Sequence, residues 1–365
     1  MTRELAKIPD IRLVFPGDSA RACGRTGMQG KFPITSQHAV AIASMLLAAV
    51  LLSLASAMPG ASQSVPEQSA GALSGIWSLK APLPAARAEV AAVALDGKLH
   101  ALGGVAGGNA GPYHDVYDPA ADSWSSGAPL PQALDGLAVA VAGGRLFAFG
   151  GDTAAAPQDA SAAAFEYDPA TNSWRGLTPM KAPRSAAGAA TVDGEIHVIG
   201  GRNRDGNAVG THEVYDALSG KWSEAAPLPV PRDAVVVIAI GGRIHAIGGS
   251  IGSAAARTGL HEVYDPATDK WTSAAPLPTP RAGAASAYYR GMILVAGGEL
   301  PRGRSFAETE AVDPKSGRWT TLAPLPHGRY GFGGATIGDN AYFAGGAFDA
   351  DGGGATDQLL MLHLP

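Results

Sequence analysis

Cysteine is almost missing from this chain: Cys23 is the only one in 365 residues, and it lies in the N-terminal leader. Once that leader is set aside, a disulfide framework, a thiolate metal site and a cysteine nucleophile are all excluded. Charge is scarce as well, at 16% of residues, with a formal net charge of −5. Beyond residue 57 the chain holds 21 Lys and Arg against 29 Asp and Glu. A body that acidic has no generic attraction for a phosphate backbone, so nucleic acid is excluded as a partner. Low charge here does not signal disorder, because 46% of residues are hydrophobic and disorder needs low hydrophobicity with high charge. What is abundant is glycine (49) and proline (27), the mixture of many short strands joined by turns.

Only one long apolar run is present, AVAIASMLLAAVLLSLASA from Ala39 to Ala57. Basic residues precede it, Ala55-Ser56-Ala57 offers small side chains at the spacing signal peptidases accept, and the sequence then turns polar. Residues 1–57 therefore read as an export leader, with Met28 as a second candidate start, followed by a linker over 58–72. An uncleaved membrane anchor is the alternative, since the run is just long enough to span a bilayer. No cysteine follows it to carry a lipid. The expected location is periplasmic or extracellular, with the membrane reached only through this segment.

From residue 73 onward the chain repeats. The tryptophans Trp77, Trp124, Trp174, Trp222, Trp271 and Trp319 stand 47, 50, 48, 49 and 48 residues apart. Each is followed 26 residues later by a Gly-Gly pair, starting at Gly103, Gly150, Gly200, Gly248, Gly297 and Gly345. A two-residue turn such as Asp96-Gly97 or Gly241-Gly242 precedes every pair, where Gly and Asp supply the positive φ of a tight hairpin. Segments such as KLHALGG and RIHAIGG alternate with period two. HEVYDPATDKW reads as a strand, an Asp-Pro turn and another strand. Each unit is thus four short antiparallel strands, labelled a to d from the axis outward, the size of a propeller blade.

Gly-Gly closing the second strand, Tyr-Asp in the third (Tyr117, Tyr167, Tyr215, Tyr264) and Trp seven residues later resemble the kelch-repeat family. The resemblance implies an all-β, six-bladed kelch β-propeller over 73–365. Val312 departs from the pattern, and the last unit ends without its tryptophan. Trp77 stands before any complete unit, so the N-terminal strand is expected to complete the last blade and remove two open edges.

Antiparallel order puts the a–b and c–d turns on one face and the b–c and d–a loops on the other. Length varies only on the second face, where binding normally resides. Ten residues after each tryptophan, at the entry to strand a, stands an arginine in five of the units: Arg87, Arg184, Arg232, Arg281 and Arg329. Leu134-Asp135 replaces it in the second. Such a ring is expected to circle the axial mouth and take carboxylates bidentately, unless each arginine instead pairs with a blade carboxylate. In one kelch domain, that of the mammalian oxidative-stress sensor, arginines at matching positions hold acidic peptides, so the resemblance implies an anionic ligand.

Other constellations carry less. His100, His197 and His245 occupy one repeat position in separate blades and cannot converge on one ion, as zinc requires. His212 and His261 repeat likewise. Asp349-Ala350-Asp351-Gly352 has a calcium-loop appearance without the distant bidentate acid. No metal, cofactor or catalytic residue is assigned. Galactose oxidase, a kelch enzyme, needs a cysteine cross-linked to tyrosine, which the mature chain lacks. The expected function is a monomeric exported scaffold for a protein, peptide or carbohydrate ligand. The alternative resembles the bacterial periplasmic N-acetylneuraminate epimerase type, a mutarotase needing an acid–base pair. Candidates for that pair are Glu89, Asp152, Asp233 and Glu299, with no roles assigned.

Overall fold

The computed structural model of the chain describes residues 75–153, 159–252, 256–300, 304–349 and 354–365. The leader (1–57), the linker (58–72) and Ala350, Asp351 and Gly352 of the calcium-like loop lie outside the described residues.

Six four-stranded antiparallel sheets make up the body. The first consists of Ala91–Leu95, Lys98–Leu102, His114–Asp118 and Ser123–Ser126, and the next four repeat that order. The sixth takes three strands from the C-terminal end and its outermost, Ile76–Lys80, from the N-terminal end. There Trp77 pairs with Leu362 and Lys80 with Leu359. Trp77 also obeys the repeat. Every one of the six tryptophans donates its indole N–H to a carbonyl in the preceding blade, Trp77 to Ala323 and Trp124 to Ala81 among them.

Strand position explains composition. Second strands are covered on both faces by neighbouring blades, so Ile196, Ile244, Ile293 and Leu99 are fully buried. First strands crowd the axis, and Ala, Gly and Val let six of them approach. The Gly-Gly pairs are a steric necessity. A Cβ on Gly150 would stand 2.3 Å from the carbonyl oxygen of Arg184, and one on Gly200 would stand 2.6 Å from that of Arg232. The second glycine of each pair donates its N–H to that same carbonyl in the next blade. The blades are therefore stitched at the residue that opens each strand a.

Three b–c loops fold into small two-stranded ribbons, Val105–Ala106 with Asn109–Ala110, Ser250–Ile251 with Ala256–Arg257, and Glu299–Leu300 with Arg304–Ser305. Each b–c loop is tied to a d–a loop by backbone bridges such as Asp135 with Asp152 and Ser185 with Arg202. Both loop sets consequently line one face of the disc.

Candidate functional site

The arginine ring does not circle the mouth. Arg87, Arg184, Arg232 and Arg329 are 0% exposed and Arg281 is 1% exposed. Arg87 pairs with Asp115 at 2.6 Å, Arg184 with Glu213 at 2.6 Å, and Arg232 with Glu262 and Arg281 with Glu310 at 2.7 Å each. Every partner is on the third strand of the same blade. Arg184 and Arg281 also donate to second-strand carbonyls. The second blade replaces both members, with Leu134 for the arginine and Phe165 for the acid. In the sixth, Leu360 takes the acid's place and Arg329 donates instead to Gln358 Oε1 at 2.6 Å. Burial with no carboxylate beside it draws the Arg329 guanidinium down to about 10. The expectation of a solvent-facing guanidinium ring is corrected accordingly: these cations are stitched into the blades.

What circles the axis lies one and two residues further along. Two residues after each arginine position come Glu89, Gly136, Ala186, Ala234, Gly283 and Gly331, all with φ between 47° and 61°. Their backbones close a belt in which Ala186 N–H donates to Gly136, Ala234 to Ala186, Gly283 to Ala234 and Gly331 to Gly283. Val90 N–H completes it by donating to Gly331. Together with the next residues of the first strands, among them Val90, Leu137, Val235 and Phe332, this belt lines an axial cavity of about 120 Å³. Glu89 alone among the six carries a long side chain, which rises over Gly331, where a Cβ would stand 2.5 Å from its Oε1.

On the loop side of the belt, outside that cavity, a well is framed by two repeat positions, the residue after each arginine position and the residue after each Gly-Gly pair. The two face each other through the loop bridges. Blades two to five contribute Asp135 and Asp152, Ser185 and Arg202, Asp233 and Ser250, and Ala282 and Glu299. Blades six and one contribute Tyr330, Ala347, Ala88 and Val105, the first three packed as one buried apolar cluster. The well therefore has a polar side and an apolar side.

Charge within it is unbalanced. Arg202 reaches Asp152 at 3.2 Å and Asp233 at 3.6 Å, and Arg257 reaches Glu299 at 2.8 Å. Glu89 and Asp135 have no ion pair among the described residues. Burial pushes Glu89 up to about 7, reinforced by the neighbouring charges of Asp135 and Glu299. Burial, then Asp152, does the same to Asp135, also to about 7. Asp152, Asp233 and Glu299 are raised by burial as well. The Oδ1 atoms of Asp152 and Asp233 are buried without a hydrogen-bond partner. Such a cluster can accept several hydrogen bonds or move a proton near neutral pH.

Four acids singled out in the sequence, Glu89, Asp152, Asp233 and Glu299, do meet in this well. Arg202, Arg257 and Asp135 were missed as members. Reading the residue after each Gly-Gly pair as a column would have found Arg202, and the departure at Leu134-Asp135 already marked Asp135.

The histidines form pairs within blades. His100 Nδ1 lies 2.9 Å from His114 Nε2, His197 Nδ1 2.8 Å from His212 Nε2, and His245 Nδ1 2.8 Å from His261 Nε2. The Nδ1 atoms of His114, His212 and His261 donate in turn to Ala128, Ala226 and Ala275. One proton per nitrogen pair satisfies this array, so both rings are neutral. Burial holds His100, His197, His212 and His245 down at about 4. Among the described residues no group of three or more His, Cys, Asp or Glu is arranged to hold a metal ion.

Comparison with known proteins fits this architecture. The chain is similar to the solved structure described as "Structure of YjhT", with a TM-score of 0.67 and 18% identity. The likeness covers 76% of this chain and 95% of that one, and at that identity it speaks to the fold alone. No curated protein gives a significant sequence match. Residues 136–346, more than half of the chain, match the KLHDC2/KLHL20/DRC7 Kelch-repeats domain. With six Gly-Gly pairs and six indole clasps in phase, the chain belongs to the kelch-repeat family.

Proposed function

We propose that this protein is an exported kelch scaffold that seats a small polar group of a carbohydrate, peptide or protein ligand in the axial well. The observation that carries this reading is the convergence of five carboxylates with only two arginines on one side of the axis, on the loop side of the belt, with an apolar cluster on the other. Concave sites with a few placed polar groups and perturbed titrating residues are the usual form of small-ligand pockets. Unanswered carboxylate oxygens ask for donors, so the favoured guest presents hydroxyls or an ammonium group. An anionic guest was expected from the arginine ring, and that expectation loses its basis with those arginines enclosed. A second reading, anomer exchange by a mutarotase-type reaction, is favoured by Glu89 and Asp135 both standing at about 7. One could hold a proton while the other accepts one.

The test is a titration of the purified protein with neutral, amino and acidic monosaccharides, alongside a Glu89→Gln, Asp135→Asn variant. Binding of neutral or amino sugars, lost in the variant, supports the well. Preference for acidic sugars that the variant leaves unchanged overturns it. Nuclear magnetic resonance of anomer equilibration in the same samples separates binding from turnover.

A further inference from the structure

The face opposite the variable loops carries a second feature, confined to the fifth blade. The fourth residue of strand a is Ala94, Val141, Thr191, Ala239 and Thr336 in the other blades, all small. In the fifth it is Tyr288, 43% exposed. The first residue of the a–b turn is Asp or Gly in the other blades, as its positive φ demands. In the fifth it is Arg290 at φ 49°, a long side chain in a backbone region that disfavours it. Residues held in such regions concentrate at functional sites.

A third departure adjoins these two, the absence of a cation at the start of strand b, which the third blade (Glu195) and the sixth (Asn340) share. Strand b opens with Lys98, Arg145 and Arg243 in the first, second and fourth blades, each paired with the Tyr-Asp carboxylate of its own blade. In the fifth blade Met292 stands there. Asp313, like Asp118, Asp168, Asp216 and Asp265, accepts from its own turn, here from Lys315 N–H at 2.9 Å and Ser316 Oγ at 2.8 Å, and has no ion pair among the described residues. Lys315 and Arg318 form no ion pair among the described residues. Arg290 donates to the Pro365 carbonyl at 2.8 Å.

These departures line one open trough of about 620 Å³, within the roughly 300–1,000 Å³ of small-molecule sites. Its cations are Arg290, Lys315 and Arg318 and its one carboxylate is Asp313. On a body with an excess of acids, this is a local reversal of charge.

We propose that this trough binds an acidic oligosaccharide. Guanidinium and ammonium groups answer sugar carboxylates, the guanidinium with a planar fork. The exposed Tyr288 ring offers a flat apolar face with a polar tip, suited to the face of a sugar ring. A peptide recognised through its backbone would need an unpaired strand edge. Six of the trough's nine lining residues, Arg290, Gly291, Asp313, Lys315, Ser316 and Arg318, lie in turns.

The experiment is calorimetric titration of the purified full chain with oligogalacturonate, its fully methyl-esterified form, and poly-glutamate, each at low and high salt. Oligogalacturonate is expected to bind, more weakly at high salt, and the ester is expected not to. Lys315→Ala with Arg318→Ala should weaken binding about tenfold or more, the scale on which losing charged contacts acts. Tyr288→Thr, the residue of the third and sixth blades, should weaken it too. Arg290→Gly should lower affinity while the melting temperature holds or rises, a split that a merely structural arginine would not give. The proposal is overturned if oligogalacturonate fails to bind, or if the ester binds equally. It is equally overturned if poly-glutamate binds as tightly and Tyr288→Thr changes nothing, which would mark a charge patch without sugar recognition. None of these outcomes bears on the axial well, whose residues the variants leave alone.

Discussion

A guanidinium inside a protein needs a counter-charge, and four of the five ring arginines have a carboxylate within 2.7 Å. Removing one partner strands the other. Arg232→Leu alone is therefore expected to cost about 3–5 kcal/mol, the range for an uncompensated buried charge. Arg232→Leu with Glu262→Phe copies the second blade, where Leu134 is 1% exposed in the same slot. That double variant should regain most of the loss, since well-packed apolar pairs often replace buried ion pairs at little cost. Urea unfolding of the full double-mutant cycle measures it, and a coupling energy near zero would contradict the pairing. The same residues show how far the sequence could be read. Spacing from tryptophan put all five arginines at the correct place along the chain, but not on the correct side of their strands. The needed signal was a second column, the acid 28 to 30 residues downstream at Asp115, Glu213, Glu262 and Glu310. Leu134 and Phe165 vary in concert with it. A long flexible side chain has no periodicity to announce where its head lies, so only the partner reveals it.

At the scale of elements, closure of the ring rests on five residues. Ile76–Lys80 pairs along the whole length of Leu359–His363, and Trp77 packs 5.4 Å from Phe343, ring centre to ring centre. Deleting residues 73–80 would leave the Leu359–His363 strand with an open edge and remove one indole clasp of six. Exposed edges invite pairing with another chain. The truncated protein is expected to melt well below the parent and to aggregate on mild heating. Light scattering during a thermal ramp checks both, and a truncation that melts with the parent would refute the role of this strand. This closure was legible because Trp77 sits in phase with five later copies. The ribbons at Val105–Ala110, Ser250–Arg257 and Glu299–Ser305 were not. Two-residue strands are too short for alternation to register, and each ribbon is bridged to the entry of strand a of its own blade. The polar wall of the well was half legible for the same reason. Asp152 and Glu299 could be named from where they follow the glycines and Glu89 and Asp233 from their place near strand a, but Arg202 and Arg257 reach this wall only once the loops fold.

Across the whole molecule, two sets of buried groups titrate in opposite senses. The paired histidines are held below their ordinary value of 6.5, four of them at about 4. Between those limits the unfolded chain binds more protons than the folded one, so their contribution is complete above 6.5 and is lost as pH falls toward 4. The well acids do the reverse. Glu89 and Asp135 stand at about 7, above ordinary values of 4.5 and 3.8. The folded chain holds those protons longer, and stability falls as pH rises through 7. In the native protein the two slopes partly cancel between pH 4 and 6.5, and only the well acts between 6.5 and 7. Breaking the balance from either side makes it visible. Glu89→Gln with Asp135→Asn should steepen the acid limb and raise stability at pH 8, by about 1–2 kcal/mol after discounting for partial solvent screening. His197→Phe with His212→Ala, the residues of the second blade (Phe147 and Ala164), should flatten the acid limb without touching the alkaline side. Unfolding free energies from urea melts at half-unit steps between pH 4.5 and 8 distinguish the three proteins. Parallel curves for all of them would mean that neither set is as strongly shifted as its burial requires. A gain at pH 8 paired with loss of ligand in the Glu89 and Asp135 variant would mean that the well keeps its mutual repulsion for the sake of binding.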